Sequence, residues 1–293
     1  MQSSNEEIQY LNLIKNIMEN GDYISSRNGN VYSIFGNMMR FSLENNKIPI
    51  LTTKKTAHKT CLKELLWFIS GNTSNNTLQK NNVFIWNDNS SREFLDSRGL
   101  NDYEVGDLGP VYGFQWRHFN APYEDCNSDY KNKGVDQLQN IIDILKNPDT
   151  RHSRRIILSA WNPCQIDKMA LPPCHILAQF HVSSKNELSC SLYQRSGDVG
   201  LGVPFNIASY SFLTHLIAHH CGLIPKDFVY FLGNAHIYEE HMDALKTQLN
   251  RECYDFPTIK ILKKYDSIND YVVNDFQVNN YKCHDKITMT MKA

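Results

Sequence analysis

The sequence predicts an α+β fold in one domain spanning residues 1–293. Segments with helical and strand-like patterns are interspersed without a regular strand–helix–strand rhythm, which favours α+β over a parallel α/β sheet. The chain has 293 residues, of which 41% are hydrophobic, enough for one large core or two modest ones. Because no internal repeat, low-complexity tract or long linker interrupts it, a single domain is the simplest interpretation.

Apolar residues that recur on one face predict five helices. The first covers residues 4–20, where Ser4 and Glu7 have the spacing of a capping box and Gly21 ends the pattern. Residues 1–25 therefore form an N-terminal helix and lead-in. The remaining helices are predicted at residues 59–70, 135–146, 208–221 and 237–249.

Strands are predicted where apolar or β-branched runs are bounded by turn residues. A tight turn, Arg27-Asn-Gly-Asn30, precedes a strand at residues 31–35. Further strands are predicted at residues 155–161, 176–182, 188–194 and 228–232, and the alternating tail at 286–291 also has a strand pattern. The most polar region, residues 120–133, is predicted to be a surface loop.

Charge and cysteine content limit the classes of function. With 30 basic and 31 acidic residues the net charge is −1, so nothing suggests a protein that coats nucleic acid or a membrane surface. Eight cysteines without a Cys-x-x-Cys pair, no signal-peptide pattern and no membrane-length apolar run indicate free thiols in a reducing compartment. We expect the cytoplasm, and the nucleus is compatible.

Cys174 lies in the segment ALPPCHILAQF, after two prolines and before an apolar run. Most free cysteines are small buried hydrophobes, whereas a nucleophilic cysteine needs positive charge near its thiolate. His175 is a poor candidate for that charge, since consecutive side chains of an extended segment point to opposite faces. If Cys174 is a nucleophile, its cation is expected to be an arginine from elsewhere in the chain.

Glu64 follows a helical pattern among apolar neighbours in CLKELLWF. Two interpretations stay open. Glu64 is either an exposed carboxylate at the edge of the apolar face, or a partly buried carboxyl group with a raised pKa that suits proton transfer.

Arginines lie at the start of one predicted strand and at the end of another. Arg154 and Arg155 either form a solvated strand end or hold a phosphate, whose oxygens match guanidinium geometry. Arg195-Ser-Gly-Asp198 offers an arginine, a hydroxyl and loop amides together.

His215 and His219 have the i, i+4 spacing of metal ligands but no HExxH pattern, so ordinary partly buried histidines are favoured over a metal site.

Five segments in this order resemble the thymidylate synthase family. They are LGPVYGFQWRH (108–118), LPPCH (171–175), YQRSGD (193–198), LGVPFNIAS (201–209) and HIY (236–238). The resemblance runs from about Arg27 to the C-terminus. It implies a mixed β-sheet flanked by helices, and a homodimer formed sheet to sheet.

The resemblance also implies a reaction in which Cys174 attacks C6 of dUMP. The one-carbon donor and reductant would be 5,10-methylenetetrahydrofolate, with no metal, flavin or NAD. Asn206 would read the uracil edge, because a carboxamide can donate to O4 and accept from N3–H. Catalytic roles are implied for Cys174, Glu64, Tyr112, Arg195, Asp198 and Asn206.

Ligand-binding roles follow from the same resemblance. Those for dUMP fall on Arg27, Arg154, Arg155, His175, Gln194, Arg195, Ser196, Gly197, Asp198, Asn206, His236, Ile237 and Tyr238. Those for the folate fall on Lys54, Ile85, Trp86, Asn89, Asp198, Leu201, Gly202, Phe205, Tyr238, Met291 and Lys292. Arg154 and Arg155 would reach into the active site of the partner subunit.

The chain departs from the common family pattern at three places, Asn234, Lys55 and Lys292. At 293 residues, no fused reductase domain is expected.

A uracil nucleotide hydroxymethylase is the nearest rival function, whereas Asn206 argues against a cytidine nucleotide hydroxymethylase. The flavin-dependent synthase would need Arg-His-Arg, but the sequence has Arg151-His-Ser153. RNA binding is a secondary expectation, and a cysteine hydrolase is disfavoured by the geometry of Cys174 and His175.

Overall fold

The computed structural model describes residues 5–26 and 29–291. Within them the helices are α1 (Ile8–Asn20), α2 (His58–Ile69), α3 (Asn75–Lys80), α4 (Arg92–Ser97), α5 (Tyr112–His118), α6 (Gln137–Lys146), α7 (Gly202–Cys221) and α8 (Met242–Leu249). The strands are β1 (Asp22–Ser26), β2 (Gly29–Ser42), β3 (Ile157–Ser159), β4 (His175–Val182), β5 (Glu187–Asp198), β6 (Ile224–Tyr238), β7 (Thr258–Ile261) and β8 (Phe276–Asn279).

A six-stranded mixed sheet in the order β1-β2-β6-β5-β4-β3 organises the fold. β5 and β6 run parallel, whereas the other neighbouring pairs of this sheet are antiparallel. The predicted mixed sheet with flanking helices is therefore confirmed. β7 and β8 form a separate antiparallel pair.

Helix α7 forms the centre of the core on one face of the sheet. Nearly every residue along its 20-residue length is buried, as expected of a helix that packs on a sheet and on other helices at once. The other face of the sheet exposes large apolar side chains, with Phe35 81% exposed. The other members of this apolar face are Met38, Ile157, Tyr193 and Phe231.

The predicted helices at 59–70 and 135–146 agree with α2 and α6 to within two residues. α7 begins at Gly202 rather than at residue 208. Pro204 does not prevent this, because a proline in the first helical turn loses no intrahelical hydrogen bond. α1 begins at Ile8, and the predicted capping residue Ser4 lies outside the described residues.

Two predictions near the C-terminus are wrong. The segment 237–249 is not one helix, because β6 continues through Tyr238 in the ladder with β2, and α8 begins only at Met242. Residues 286–291 form no strand, although their pattern alternates. An alternating pattern makes a strand only where a sheet edge can accept it, and here Thr290 O bonds His241 Nε2 instead.

The polar region 120–133 has no helix or strand, as predicted for a loop. It is nevertheless partly buried, since Tyr123 and Tyr130 stack on each other with ring centroids 5.6 Å apart and pack against Phe114. The Tyr123 hydroxyl donates to Asp107 Oδ1 at 2.6 Å. The loop is therefore anchored to the domain at its base.

Candidate active site

The ends of three strands meet at one edge of the sheet. β5 and β6 run parallel, so their carboxyl ends lie side by side, with Ser196 opposite Asn234 and Asp198 opposite His236. The amino end of β4 joins them, because His175 pairs with Gln194 in an antiparallel ladder. Residues distant in sequence therefore converge, as is common for ligand sites at strand ends.

Cys174 lies at this edge beside Arg195. Its Sγ is 3.7 Å from Arg195 Nη2, and its backbone N–H donates to Tyr112 Oη at 2.7 Å. Arg195 is fixed by the two prolines before Cys174, since its Nε donates to Pro173 O at 2.8 Å and its Nη2 to Pro172 O at 2.9 Å. The cation beside the thiol therefore comes from β5.

Two opposing effects act on the thiol of Cys174. Burial raises its pKa above the ordinary value, while the Arg195 charge and the Tyr112 hydroxyl partly offset that rise. Cys174 is therefore a buried thiol that has a cation in place for its ionised form.

His175 does not serve as that cation. Burial lowers its pKa to about 3, so the ring is neutral at physiological pH. The ring stacks on Tyr112 with centroids 3.9 Å apart, and its Nδ1 shares a 2.7 Å hydrogen bond with Tyr210 Oη. These contacts agree with the expectation that Cys174 and His175 do not form a dyad.

Glu64 is buried, which decides between the two sequence-based interpretations. Only 6% of the residue is exposed, and Oε1 accepts a 2.7 Å hydrogen bond from Trp86 Nε1. Burial raises the pKa of Glu64 to about 7, although the bond from Trp86 lowers it. The exposed-carboxylate interpretation is wrong. Glu64 can accept or donate a proton near neutral pH.

His236 faces the strand ends from β6. Its Nδ1 shares a 2.9 Å hydrogen bond with Asn234 Oδ1, and its ring lies edge-on to Tyr238 at 5.5 Å. Burial lowers the pKa of His236. Ile237, predicted to bind substrate, alternates to the opposite face of β6, where its side chain is fully buried in the core.

Gln194 and Asn206 differ in how their amides are used. Gln194 Oε1 accepts from Tyr230 Oη at 2.7 Å, and its Nε2 donates to Ser196 O at 2.9 Å, so it braces the end of β5. Asn206, in the second turn of α7, is half-buried, and its side-chain amide has no hydrogen bond to a described residue. Its donor and its acceptor are both available to a ligand.

Lys54 joins the site from the loop before α2. Its Nζ donates to Gly200 O, and the Gly200 N–H donates to Asp198 Oδ1 at 2.8 Å. Burial lowers the pKa of Lys54 to about 8, although the charge of Asp198 opposes this.

His241 was missed by the sequence analysis because residues 237–249 were read as helix. Its Nδ1 lies 3.9 Å from Asp198 Oδ1, and its Nε2 bonds Thr290 O at 2.8 Å.

An aromatic wall stands beside Glu64. Trp86 lies edge-on to Tyr112 at 6.1 Å, and Ile85 and Phe205 pack against the core nearby. Asn89 is buried, yet its Nδ2 has no hydrogen-bond partner in the part of the chain that the structure describes. Such an orphaned donor costs free energy unless a ligand or water accepts from it.

Arg154 and Arg155 are exposed and lie beside β4, several residues along that strand from Cys174. Arg154 O accepts from Gln179 Nε2 at 3.3 Å. Gln179 is four residues along β4 from His175, so the separation is roughly 14 Å at about 3.4 Å per strand residue. Arg27 and Lys292 lie outside the described residues.

The histidines at metal-ligand spacing have other partners. His215 Nε2 bonds Lys47 O, and His219 Nε2 bonds Lys263 O, each at 2.8 Å. Across residues 5–26 and 29–291, no group of three or more His, Cys, Asp or Glu side chains is arranged to hold a metal ion. Over the same residues, no helix has the length and apolar character needed to span a membrane.

Nearly the whole chain is similar in sequence to proteins of one family. A family model described as thymidylate synthase matches residues 8–293. The thymidylate synthase of Homo sapiens is 54% identical over 287 residues, covering 97% of this chain and 90% of that protein. That of Saccharomyces cerevisiae is 49% identical over 299 residues, covering 98% and 97%.

Some relatives are longer. The bifunctional dihydrofolate reductase-thymidylate synthase of Plasmodium chabaudi is 55% identical over 288 residues, which are 98% of this chain and 49% of that protein. This chain thus spans about half the length of the bifunctional relatives from Plasmodium that it matches.

Proposed function

Since the chain belongs to the thymidylate synthase family, we propose that it converts dUMP to dTMP with 5,10-methylenetetrahydrofolate as co-substrate. The observation that carries this proposal is the convergence at one sheet edge. Cys174 lies 3.7 Å from Arg195 there, and the same site contains a buried Glu64 whose pKa is about 7. A nucleophile, its cation and a neutral-pH proton carrier are what addition to a pyrimidine requires.

Cys174 is the nucleophile of this reaction. Its sulfur adds to C6 of the pyrimidine, which places electron density on C5 and O4 and makes C5 nucleophilic. Arg195 favours the thiolate that attacks. Asn206 holds the ring by donating to O4 and accepting from N3–H, both of which its unpaired amide allows.

The phosphate is held at Arg195, near the end of β5, and the ribose is held at the end of β6. Arg195 and Ser196, with Arg27, bind the phosphate, whose geometry suits a guanidinium group. His236 and Tyr238 contact the ribose hydroxyl. The remaining proposed dUMP contacts are His175, Gln194, Gly197 and Asp198, together with the backbone of Ile237.

Glu64 and Tyr112 are the residues that assist proton transfer. A carboxyl group with a pKa of about 7 is close to evenly divided between acid and base at neutral pH, the condition under which general acid–base catalysis is most effective. Burial keeps the pKa of Tyr112 well above its usual value, so its hydroxyl stays protonated. Glu64 removes the C5 proton through water, and Tyr112 orders the surroundings of that proton.

The residues beside Glu64 fit a folate. Asn89 offers a buried donor without a partner, and Trp86 offers an aromatic surface, as a polar heteroaromatic ring requires. When bound, the folate supplies both the one-carbon unit and the hydride that reduces it. The other proposed contacts are Lys54, Ile85, Asp198, Leu201, Gly202, Phe205, Tyr238, Met291 and Lys292.

The exposed apolar face of the sheet supports a homodimer. Phe35 and Phe231 are large apolar side chains that a single chain leaves exposed, and a second copy can cover them sheet to sheet. The backbone of Arg154 contacts β4 four residues from His175, so we assign Arg154 and Arg155 to the site of the partner. The protein is then active only as a dimer, and its expected location is the cytoplasm.

Mixed dimers test the shared site. Cys174→Ser and Arg155→Ala homodimers should both be nearly inactive, but mixing them after reversible dissociation should restore activity. About one quarter of wild-type activity is expected at equal proportions, because half of the dimers are mixed and each has one intact site. No recovery in mixed dimers would contradict the donation of Arg155.

Product analysis tests the reaction itself. Purified protein with dUMP and methylenetetrahydrofolate is expected to form dTMP and dihydrofolate in equal amounts, measured by chromatography and by the absorbance of dihydrofolate. The names of the relatives do not favour a hydroxymethylase. If 5-hydroxymethyl-dUMP and tetrahydrofolate form instead, the proposed methylation is refuted.

A further inference from the structure

Glu7 is a fully buried carboxylate that the proposed mechanism does not use. It directly precedes α1, and among the described residues its two side-chain oxygens accept hydrogen bonds from two consecutive residues, Thr52 and Thr53. The backbone N–H groups donate at 2.9–3.0 Å, and the hydroxyls at 2.5 Å and 2.6 Å. No lysine or arginine in the described part of the chain forms an ion pair with it. A buried charge is tolerated when hydrogen bonds satisfy it.

Thr53 also accepts hydrogen bonds from two other side chains. Its hydroxyl accepts from Gln248 Nε2 at 2.8 Å, and its carbonyl accepts from Arg251 Nη1 at 2.8 Å. The same Arg251 nitrogen donates to Asp285 O in the C-terminal tail, and the His284 N–H donates to Thr52 O at 2.8 Å. Helix α1, helix α8 and the tail are thereby joined at this dipeptide.

Lys54 immediately follows this dipeptide. Its buried ammonium group donates to Gly200 O, in the turn that Asp198 Oδ1 closes through the Gly200 N–H. A second contact connects the same two parts of the chain, because the hydroxyl of Tyr10, one turn along α1 from Glu7, donates to Val199 O at 2.8 Å. The N-terminal helix thus touches both the base of the Lys54 segment and the 198–200 turn.

We propose that Glu7 is a positioning residue for the folate side of the active site. By fixing Thr52 and Thr53 it aims Lys54 at the 198–200 turn, so folate binding depends on Glu7 and dUMP binding does not. This inference rests on the proposed function, because it assigns Lys54 to the folate alone, whereas Asp198 is a proposed contact of both ligands and Lys54 bonds Gly200 O instead.

The chain offers a matched control in Glu6. Glu6 is the preceding residue and also joins α1 to the rest of the domain, with Oε2 accepting from the Ser42 N–H at 2.5 Å and Oε1 from Lys47 Nζ at 2.8 Å. Its contacts do not include the Lys54 segment. Glu6→Gln therefore makes the same chemical change at the same helix end without disturbing Lys54.

The test is steady-state kinetics of Glu7→Gln. A glutamine presents an NH2 group where donors converge, so Thr52 and Thr53 must shift. We expect KM for methylenetetrahydrofolate to rise by about tenfold or more, with kcat within roughly threefold, since lost uniform binding raises KM alone. The dUMP dissociation constant, measured by calorimetry, should stay within about twofold, and Glu6→Gln should leave all three values near those of wild type.

Thr53→Val provides the same test with a smaller disturbance. It removes one hydroxyl and keeps the shape of the side chain, so it decides the question if Glu7→Gln fails to fold. A rise in the folate KM of about threefold or more, with dUMP binding unchanged, supports the proposal. Equal weakening of both ligands, or no change in the folate KM, overturns it. An inactive wild type would instead refute the proposed function.

Discussion

Replacing Trp86 by phenylalanine should shift the ionisation of Glu64. The indole N–H of Trp86 donates to Glu64 Oε1 at 2.7 Å. This bond stabilises the charged carboxylate and lowers its pKa, while burial raises the pKa to about 7. Phenylalanine keeps an aromatic ring beside the folate but removes the donor. The neutral acid is then favoured, so the pKa of Glu64 rises further.

The size of the shift follows from the energy of the bond. A hydrogen bond to a charged group contributes about 1.5–3 kcal/mol, and one pKa unit corresponds to about 1.4 kcal/mol. The pKa of Glu64 should therefore increase from about 7 by roughly one to two units. Because Glu64 accepts a proton as a carboxylate, its active fraction at pH 7 falls from about one half to about 1–10%, which lowers the rate by roughly 5- to 50-fold.

The assay is tritium release from dUMP labelled at C5, measured at saturating folate as a function of pH. The acidic limb of kcat should move upward by one to two units in Trp86→Phe, and the rate should recover at high pH. Trp67→Phe is the matched control, because the Trp67 indole donates to Asn72 Oδ1 and Ser74 O, not to Glu64. An acidic limb that stays near pH 7 in Trp86→Phe would refute this account of Glu64.

Two further predictions concern Lys54 and the anchored loop. Since the pKa of Lys54 is about 8, its positive charge is present below that pH and lost above it, so the wild-type KM for the folate should rise as the pH passes 8. Lys54→Met should raise KM at neutral pH and remove this rise, whereas a rise that persists would assign it to another group. Tyr123→Phe leaves Asp107 with one donor fewer, so urea denaturation should show unfolding free energy reduced by about 1–3 kcal/mol with unchanged KM values. An equally stable variant would contradict the anchoring of the 120–133 loop.

The sequence was most informative where local pattern and chemistry coincide. The sequence itself contains the two prolines before Cys174 and an arginine, Arg195, near the end of a predicted strand. Because consecutive side chains of an extended backbone point to opposite faces, His175 was excluded as the partner of Cys174. The structure adds that the carbonyls of those prolines hold Arg195 in place. The order of the strands was not predicted, because periodicity does not say which strands are neighbours, and the family resemblance implied only a mixed sheet flanked by helices.

Features that depend on long-range contacts were not predictable. Glu64 was ambiguous because its partner, Trp86, is 22 residues away on a different segment. Glu7 was read as part of a capping box, but its carboxylate bonds Thr52 and Thr53 instead of its own helix. β6 was predicted too short because pairing on both sides extends it beyond its own apolar run.

The parallel register of β5 and β6 limits how the chain can change in length. Along the end of β6, Asn234 and His236 are half-buried beside the site, while Ala235 and Ile237 are fully buried on the other face. Deleting one residue within this strand would exchange the two sets, because side chains alternate with a period of two. The 120–133 loop carries no such alternation. Insertions and deletions that evolution has retained should therefore concentrate in that loop, whereas β6 should vary only by substitution.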